Sequence, residues 1–411
     1  MNKYIHAGVV VLNLALGLIL QILVIRLLGV GENTDVYLSA QIIYLILLGV
    51  LTSTLHGAWF PKIVESSKNV SHALVQGGGV AIVFLLALIG FGRNFVGYIF
   101  TGFSTQLLDE LAGLVVIFSI ALCLQNVNIS LMMLLRASEK YIEMEKIVLL
   151  TFPIYMVSIL VLTNLYGAKG AALSLLIKSV AQIFISKFYL SLPEINISRS
   201  LSNKEGWNRM RPVILGGMFY KSSPLVDRYW LSQAASGSLT IVHLANTIMT
   251  SIMAIVEKVY INPVVTKLNR VSRDAVRKNY YQALFQYFLH SILLIVCIFV
   301  IYPVFICFFS VVLGIKPNIS HDLWLYLLLS VGMFVGGGAG IISICVLNRF
   351  DDTKSSSILG TIMLPVGIVV KSIGYYYYLI PGLVIGTSVY YLVNMLILIY
   401  LVKRKVNESL S

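Results

Sequence analysis

The chain has 411 residues, of which 58% are hydrophobic and only 11% are charged. A soluble domain is about 25% charged, so this composition and a mean hydropathy of +0.89 exclude a soluble domain and indicate a polytopic membrane protein. The net charge of +13 would suggest nucleic acid as the partner of a soluble protein. In a membrane protein, basic loops first report topology, so we expect no nucleic-acid partner.

Twelve apolar runs reach the roughly 20 residues that a helix needs to cross a bilayer. The first run is too long for a signal-peptide core and no small-residue cleavage site follows it, so we predict a retained helix. We place the helices at 5–28, 36–59, 73–92, 111–135, 147–165, 169–191, 212–233, 239–262, 280–302, 323–347, 355–373 and 381–402.

Lysine and arginine concentrate in every second loop. If the N-terminus is cytoplasmic, most of the 30 basic residues lie in cytoplasmic segments, while the opposite loops hold few, among them Arg93 and Lys316. This positive-inside asymmetry predicts that both termini are cytoplasmic. None of the loops is long enough for a soluble catalytic domain, so we expect a protein that is not an enzyme.

The longest polar inner segment divides the predicted helices into six and six. Both halves begin on the cytoplasmic side, so they have parallel topology. Arg26 and Pro61 are 35 residues apart, as are Arg228 and Pro263. Parallel repeats are a transporter arrangement with the binding site between the repeats. We predict an N-terminal lobe over 1–195, a cytoplasmic linker over 196–211 and a C-terminal lobe over 212–411.

Five basic residues inside the predicted helices are candidates for binding an anion. Each charge at membrane depth costs about 2.5–3.5 kcal/mol on insertion scales, so a chain keeps one where it faces a polar cavity or a partner. Lys178 and Lys221 lie near the middle of helices 6 and 7, one from each half. Arg26, Arg228 and Lys371 lie further outward, and for Arg26 and Lys371 snorkelling to the interface is the alternative.

Polar residues recur at helical spacing on the predicted helices 1, 2 and 8, as in a wet cavity. Hydrogen bonding between helices is the alternative interpretation. Two acids, Asp227 and Glu257, also lie within helices and either pair with cations or couple transport to an ion. Neither cysteines nor histidines show metal-ligand spacing, so we expect no metal and no cofactor. The candidate lining residues are Asn13, Gln21, Gln41, Asn246, Thr247 and Thr250.

The sign of the intramembrane charge predicts the class of cargo. A cationic cavity selects anions, whereas an exporter of organic cations needs carboxylates. The expected cargo bears phosphate, because lysine acts as a point charge and arginine as a bidentate fork for phosphate oxygens. Both a small phosphate ester and a phospholipid-like molecule satisfy this expectation.

Two segments carry a family resemblance. The first is GVGENTDVYLSAQ (Gly29–Gln41), followed by Trp59, Phe60 and Pro61. The second is LVDRYWLSQAASGSLTIVHLAN (Leu225–Asn246), with Pro263 beyond it. They resemble the lipid-linked oligosaccharide flippases of the multidrug/oligosaccharidyl-lipid/polysaccharide exporter (MOP) superfamily. The second segment is similar to the signature of the peptidoglycan-precursor branch.

The resemblance implies an all-α, MATE-like V-shaped transporter with Asp35 and Asp227 as motif positions. It implies alternating access that moves an undecaprenyl-diphosphate-linked oligosaccharide to the outer leaflet of the bacterial cytoplasmic membrane, with polysaccharide-assembly membrane proteins as partners. The peptidoglycan branch has fourteen helices and cavity arginines where this chain has Leu14, Leu20 and Thr247. We therefore expect an O-antigen, capsule or exopolysaccharide repeat unit. A lipid II flippase and an ion-coupled small-molecule exporter of the superfamily are the alternatives.

Overall fold

The computed structural model describes residues 3–190, 197–270, 273–313, 317–350 and 352–408, and within these ranges the regular secondary structure is helical. This confirms the predicted all-α class. The helices are α1 (Lys3–Leu28), α2 (Glu32–Ala58), α3 (Phe60–Glu65), α4 (Val70–Ile99), α5 (Thr105–Ala137), α6 (Tyr141–Lys187), α7 (Ile197–Leu201), α8 (Lys204–Lys221), α9 (Ser223–Ser232), α10 (Ser238–Val256), α11 (Asn262–Arg270), α12 (Arg273–Leu313), α13 (Pro317–Leu329), α14 (Val331–Arg349) and α15 (Thr353–Glu408).

Within the described residues, nine helical stretches are long and apolar enough to cross a membrane. The two longest of these are α6, with 47 residues, and α15, with 56. At 1.5 Å per residue they would extend about 70 and 84 Å, more than twice the hydrocarbon core of about 30 Å. Each must therefore change direction within its length.

The reversals lie at Gly167 in α6 (φ 57°, ψ −135°) and at Leu379 in α15 (φ 52°, ψ −134°). After the first reversal, Gly170 packs so closely against the carbonyl oxygen of Leu162 that a Cβ added at Gly170 would clash with it. In a continuous helix these residues would be about 12 Å apart. Each long helix is therefore a hairpin of two spans, which accounts for predicted helices 5 and 6 and helices 11 and 12.

The seventh predicted helix corresponds to α8 and α9. It is absent from the apolar stretches because α8 begins in a charged segment, KEGWNRMR. The chain breaks between the two helices: α8 ends at Lys221, and α9 begins at Ser223 with Pro224 in its first turn. Proline lacks a donor N–H and is tolerated in the first turn, where that donor would have no helical partner. With this pair and the two hairpins, the twelve predicted crossings are all represented.

The chain forms two compact units, Met1–Thr240 and Ile241–Ser411. In the first unit, α2 packs against α5 and α8, and α1 packs against α6. In the second, α14 packs against α15 and α12. The first unit includes α8 and α9, which the sequence assigns to the start of a C-terminal lobe. The lobe boundaries at 195 and 212 stay a prediction.

Each unit has its own buried core, and long apolar side chains cover its outside. Tyr37 and Phe118 are fully buried in the first unit, and Tyr287 and Phe334 in the second. The exposed residues include many Leu, Ile, Val and Phe on α4, α12 and α15. A soluble monomer exposes few such contiguous patches. The surface fits a chain whose helices face lipid.

Candidate functional site

Asp35 lies in the first turn of α2 and connects it to the start of α10. Its carboxylate accepts hydrogen bonds from the backbone N–H of Gly237 (2.7 Å), and from the N–H and hydroxyl of Thr240 (2.9 and 2.6 Å). These donors lie at the start of α10, where backbone N–H groups have no helical partner and the helix dipole favours negative charge. Asp35 is only 4% exposed. The contacts support a structural role, in which a residue of α2 caps another helix.

Lys178 lies against an aromatic wall in the first unit. Its ammonium is 4.9 Å from the centroid of the Tyr155 ring. Tyr37 and Tyr44 are close neighbours of Tyr155, and their rings pack 5.7 and 5.4 Å from Phe118. A cation over an aromatic face gains about 0.5–1 kcal/mol at exposed sites and about 2 kcal/mol when desolvated. The ring is neutral, so it holds the ammonium in place without cancelling its charge.

Lys221 lies where α2 and α8 approach each other closely. A Cβ added at Gly217 of α8 would be 3.7 Å from Val50 of α2. A Cβ added at Gly49 of α2 would be 3.5 Å from Cδ of Lys221. Small residues let helix backbones pack closely in membranes. Because Gly49 has no side chain, the alkyl chain of Lys221 packs directly against α2. The Lys221 side chain is half-buried.

Arg228 lies in α9 and is 5% exposed. Two acids, Asp227 and Asp35, are within electrostatic reach of its guanidinium. A buried cation near two carboxylates belongs to a charge-compensated group, which is the usual condition for burying a charge. This supports charge pairing for Asp227, and it makes Arg228 a weaker candidate than Lys178 for binding an anion.

Lys371 lies in the second unit and is 2% exposed. Its ammonium is 5.7 Å from the centroid of the Tyr390 ring. A Cβ added at Gly367 would be 2.9 Å from Cδ2 of that tyrosine, so the glycine makes room for the ring. The second unit therefore also holds a lysine on a tyrosine face. By contrast, Arg26 is exposed in the last turn of α1, as the snorkelling alternative predicts.

The polar residues of α1 and α2 bind other helices. The side-chain amide of Asn13 donates to the Glu145 carboxylate of α6. The amides of Gln21 and Gln41 exchange two hydrogen bonds, at 3.3 and 3.4 Å. These contacts favour the helix-packing interpretation of the three residues over a cavity-lining role.

The polar face of α10 is different. Thr247 donates to the backbone oxygen of His243 and Thr250 to that of Asn246, each at 2.8 Å. Such bonds within one helix occupy the hydroxyl donors and leave the oxygen lone pairs for another partner. Thr250 is exposed.

Glu257 is half-buried and opens a π-helical turn, Glu257–Ile261. Such turns are frequent at functional sites. The side chain of Lys258, the neighbouring cation in the chain, lies outside the described residues. Whether Glu257 pairs with a cation or couples transport to an ion therefore stays a prediction.

Comparison with known proteins begins from the fold, because no protein-family model and no curated protein matches this sequence. Solved structures do match. The lipid II flippase MurJ in an inward closed conformation superposes with a TM-score of 0.83 at 16% identity, over 98% of this chain and 88% of MurJ. This chain has the fold of the MOP-superfamily transporters.

Two further structures carry the same fold. An inward-facing multidrug-resistance MATE transporter of the MOP superfamily has a TM-score of 0.71 at 12% identity, over 96% of this chain and 95% of that one. A MOP-superfamily transporter from Pyrococcus furiosus has a TM-score of 0.69 at 12% identity, over 98% and 95%. Its binding pocket is described as having reversed polarity, which suggests a different function for it. These similarities confirm the predicted multi-pass membrane transporter fold.

Proposed function

We propose that the protein is a flippase for a lipid-linked oligosaccharide. Its cargo would be an undecaprenyl-diphosphate-linked repeat unit of O-antigen, capsule or exopolysaccharide, moved from the cytoplasmic to the outer leaflet of a bacterial cytoplasmic membrane. The observation that carries the proposal is the Lys178 ammonium, which rests on the neutral Tyr155 ring inside an apolar helix bundle. Its positive charge stays available to an anion.

A diphosphate suits this environment. Lysine offers a compact charge and three donors to phosphate oxygens, and the low dielectric of a helix bundle strengthens the attraction. Lys221 supplies a second ammonium in the same unit, and its alkyl chain is held on α2. The sugar head group would pass the lysines while the lipid chain stays in hydrocarbon.

The cycle we propose is alternating access without covalent chemistry. An empty cationic carrier is drawn toward the negative interior by about 2.3 kcal/mol per charge per 100 mV. This would return the empty protein to the side where an anionic cargo is made. Flipping in proteoliposomes that is indifferent to an imposed potential would contradict this step.

The absence of arginine at Leu14, Leu20 and Thr247 supports an oligosaccharide repeat unit over the peptidoglycan precursor. The Pyrococcus furiosus transporter is described as having a binding pocket of reversed polarity, which suggests a different function for it. By analogy, we take the charge at these positions to bear on the class of cargo of this chain. For this reason an exporter of organic cations is the weaker alternative.

The test uses cells lacking the protein and an analysis of their lipid-linked glycans. An inner-leaflet lipid-diphosphate oligosaccharide should accumulate, and its sugars would identify the repeat unit. Lys178→Ala and Lys221→Ala should fail to clear it at normal expression. Lys187→Ala is the matched control, because Lys187 also contacts a ring, that of Phe184 at 5.2 Å, but lies at the end of α6.

Two results would overturn the proposal. One is full complementation by both Lys178→Ala and Lys221→Ala. The other is a deletion strain with normal lipid-linked glycans that has lost the efflux of an organic cation.

A further inference from the structure

The first unit contains an apolar groove that the lysine site does not use. Its volume is 520 Å³, within the range of about 300–1,000 Å³ that small-molecule pockets occupy. The helices α2, α4, α8 and α9 form its walls, with Leu47, Ala87, Phe91, Phe219 and Leu225 among the lining residues. One lining side chain is polar, that of Ser222.

An apolar groove alone selects nothing in a membrane, because lipid tails are as apolar as its walls. Its position beside a charge is informative. Ser222 directly follows Lys221 in the chain. The alkyl chain of Lys221 rests on Gly49, two residues beyond Leu47 on α2. The groove and the lysine therefore share one helix contact, between α2 and α8.

We propose that this groove binds the polyprenyl chain of the lipid diphosphate whose phosphate is held by Lys221. The inference rests on the proposed function and adds to it the place where the lipid part is recognised. Lys221 does not itself line the groove, but it precedes the lining residue Ser222 in the chain. A cation next to an apolar groove is complementary to an amphiphile with an anionic head and a hydrocarbon tail.

The groove favours a polyprenyl lipid over a phospholipid for two reasons. It is one groove, and a polyprenyl lipid has one chain where a phospholipid has two. Its walls also contain four phenylalanine rings, at Phe84, Phe91, Phe95 and Phe219. Rings of this size give a branched isoprenoid chain large apolar surfaces to contact.

The test is native mass spectrometry of the full-length protein in detergent micelles, with undecaprenyl diphosphate and farnesyl diphosphate as probes. Ala87→Trp fills the groove from α4. Leu86→Trp is the matched control, because Leu86 neighbours it on the same helix, does not line the groove and is 62% exposed. Both variants must elute from size exclusion as the wild type does.

We expect wild type and Leu86→Trp to bind undecaprenyl diphosphate more tightly than farnesyl diphosphate. In Ala87→Trp the affinity for undecaprenyl diphosphate should fall about tenfold, the effect of losing contact with roughly two methylene groups. Equal affinities of the two tryptophan variants would overturn the inference. If Ala87→Trp does not fold, competition on the wild type decides: an equal concentration of phosphatidylglycerol should leave undecaprenyl diphosphate bound, and its displacement would overturn the polyprenyl assignment.

Failure of the groove and failure of the flippase proposal give different results. Inorganic diphosphate should compete with farnesyl diphosphate in the wild type and should lose this effect in Lys221→Ala. Suppose that inorganic diphosphate competes normally in both tryptophan variants, and that the wild type binds undecaprenyl diphosphate no more tightly than farnesyl diphosphate. This result would reject the groove as the site of the polyprenyl chain and would keep Lys221 as the anion site. Tight binding of undecaprenyl diphosphate that neither inorganic diphosphate nor Lys221→Ala affects rejects the lysine as the phosphate site.

Discussion

The hairpins α6 and α15 share a backbone design. Each reverses at a residue with nearly the same torsion angles, Gly167 and Leu379, which are 212 positions apart. The two arms of each hairpin then contact each other at a glycine. A Cβ added at Gly170 would clash with a carbonyl oxygen of the first arm, and a Cβ added at Gly382 would clash with such an oxygen in the same way. Gly170 and Gly382 are also 212 positions apart, so the close contact lies at the same distance in sequence from the reversal in each hairpin.

The two hairpins differ in the placement of the lysine. In α6 the tyrosine is on the first arm (Tyr155) and the lysine is on the second (Lys178). In α15 the lysine is on the first arm (Lys371), and the tyrosine (Tyr390) occupies the position equivalent to Lys178. Both hairpins therefore contain a lysine ammonium that contacts a tyrosine ring, but the lysine and the tyrosine do not occupy equivalent positions in the two halves.

The lysines also differ in burial: Lys371 is 2% exposed, and Lys178 is half-buried. A half-buried cation can still meet a substrate, whereas an almost fully buried one is committed to its own packing. The comparison therefore predicts that Lys178 binds the anion and that Lys371 has a structural role.

The largest expected difference is between Lys178→Met and Lys371→Met. Lys178→Met should lower the initial rate of flipping in proteoliposomes by about 100-fold, because a hydrogen bond to a charged group is worth up to about 3 kcal/mol. Lys371→Met should leave that rate within about threefold, because a lysine that is only 2% exposed has little surface to offer to a substrate. Equal losses of transport in the two variants would reject the division of roles.

The next effect concerns the glycine contacts. Gly170→Ala and Gly382→Ala should each lower the Tm strongly, since the new methyl group meets backbone rather than a movable side chain. Overpacking of this kind costs about 1–3 kcal/mol or more. Gly113→Ala is the control, because a Cβ there meets nothing within 4 Å. If only one of the two substitutions lowered the Tm, the close glycine contact would stabilise one hairpin and not the other.

A smaller effect tests the turn residues. The torsion angles at both reversals favour glycine, and a residue with a side chain is strained there by about 1–3 kcal/mol. Leu379→Gly should therefore raise the Tm, and Gly167→Leu should lower it. Thermal unfolding in detergent measures both, and a Tm that falls in Leu379→Gly would mean that the leucine side chain stabilises the turn by more than its strain.

Much of the fold followed from local features of the sequence. Apolar length alone predicted the twelve crossings, which the long helices, the two hairpins and the α8–α9 pair represent. The candidate site depended on contacts distant in sequence. Asp35 caps a helix start about 200 residues away, and Gln21 binds Gln41 across two helices. Helical spacing places polar residues on a face but does not identify the neighbour of that face.

The tyrosine partners were also missed, although a signal existed. Tyr155 lies two residues after Pro153, and the equivalent proline of the second half, Pro365, is 212 residues further on. When the two halves are aligned on these prolines, Lys178 and Tyr390 occupy equivalent positions. A search for a repeated lysine finds nothing there, because the repeat exchanges the two residue types between the arms.

The smallest effect tests the aromatic contacts themselves. Tyr155→Phe keeps a ring under the Lys178 ammonium and should transport normally, whereas Tyr155→Leu removes the ring and should raise the KM for the lipid-linked substrate about threefold at unchanged kcat. The change corresponds to about 0.7 kcal/mol, within the range of a cation–π contact. Tyr390→Leu should instead lower the Tm with little change in KM, because its lysine is buried. If Tyr390→Leu raised the KM as much as Tyr155→Leu, both lysines would contact cargo, and the exchange of residues between the arms would carry no division of function.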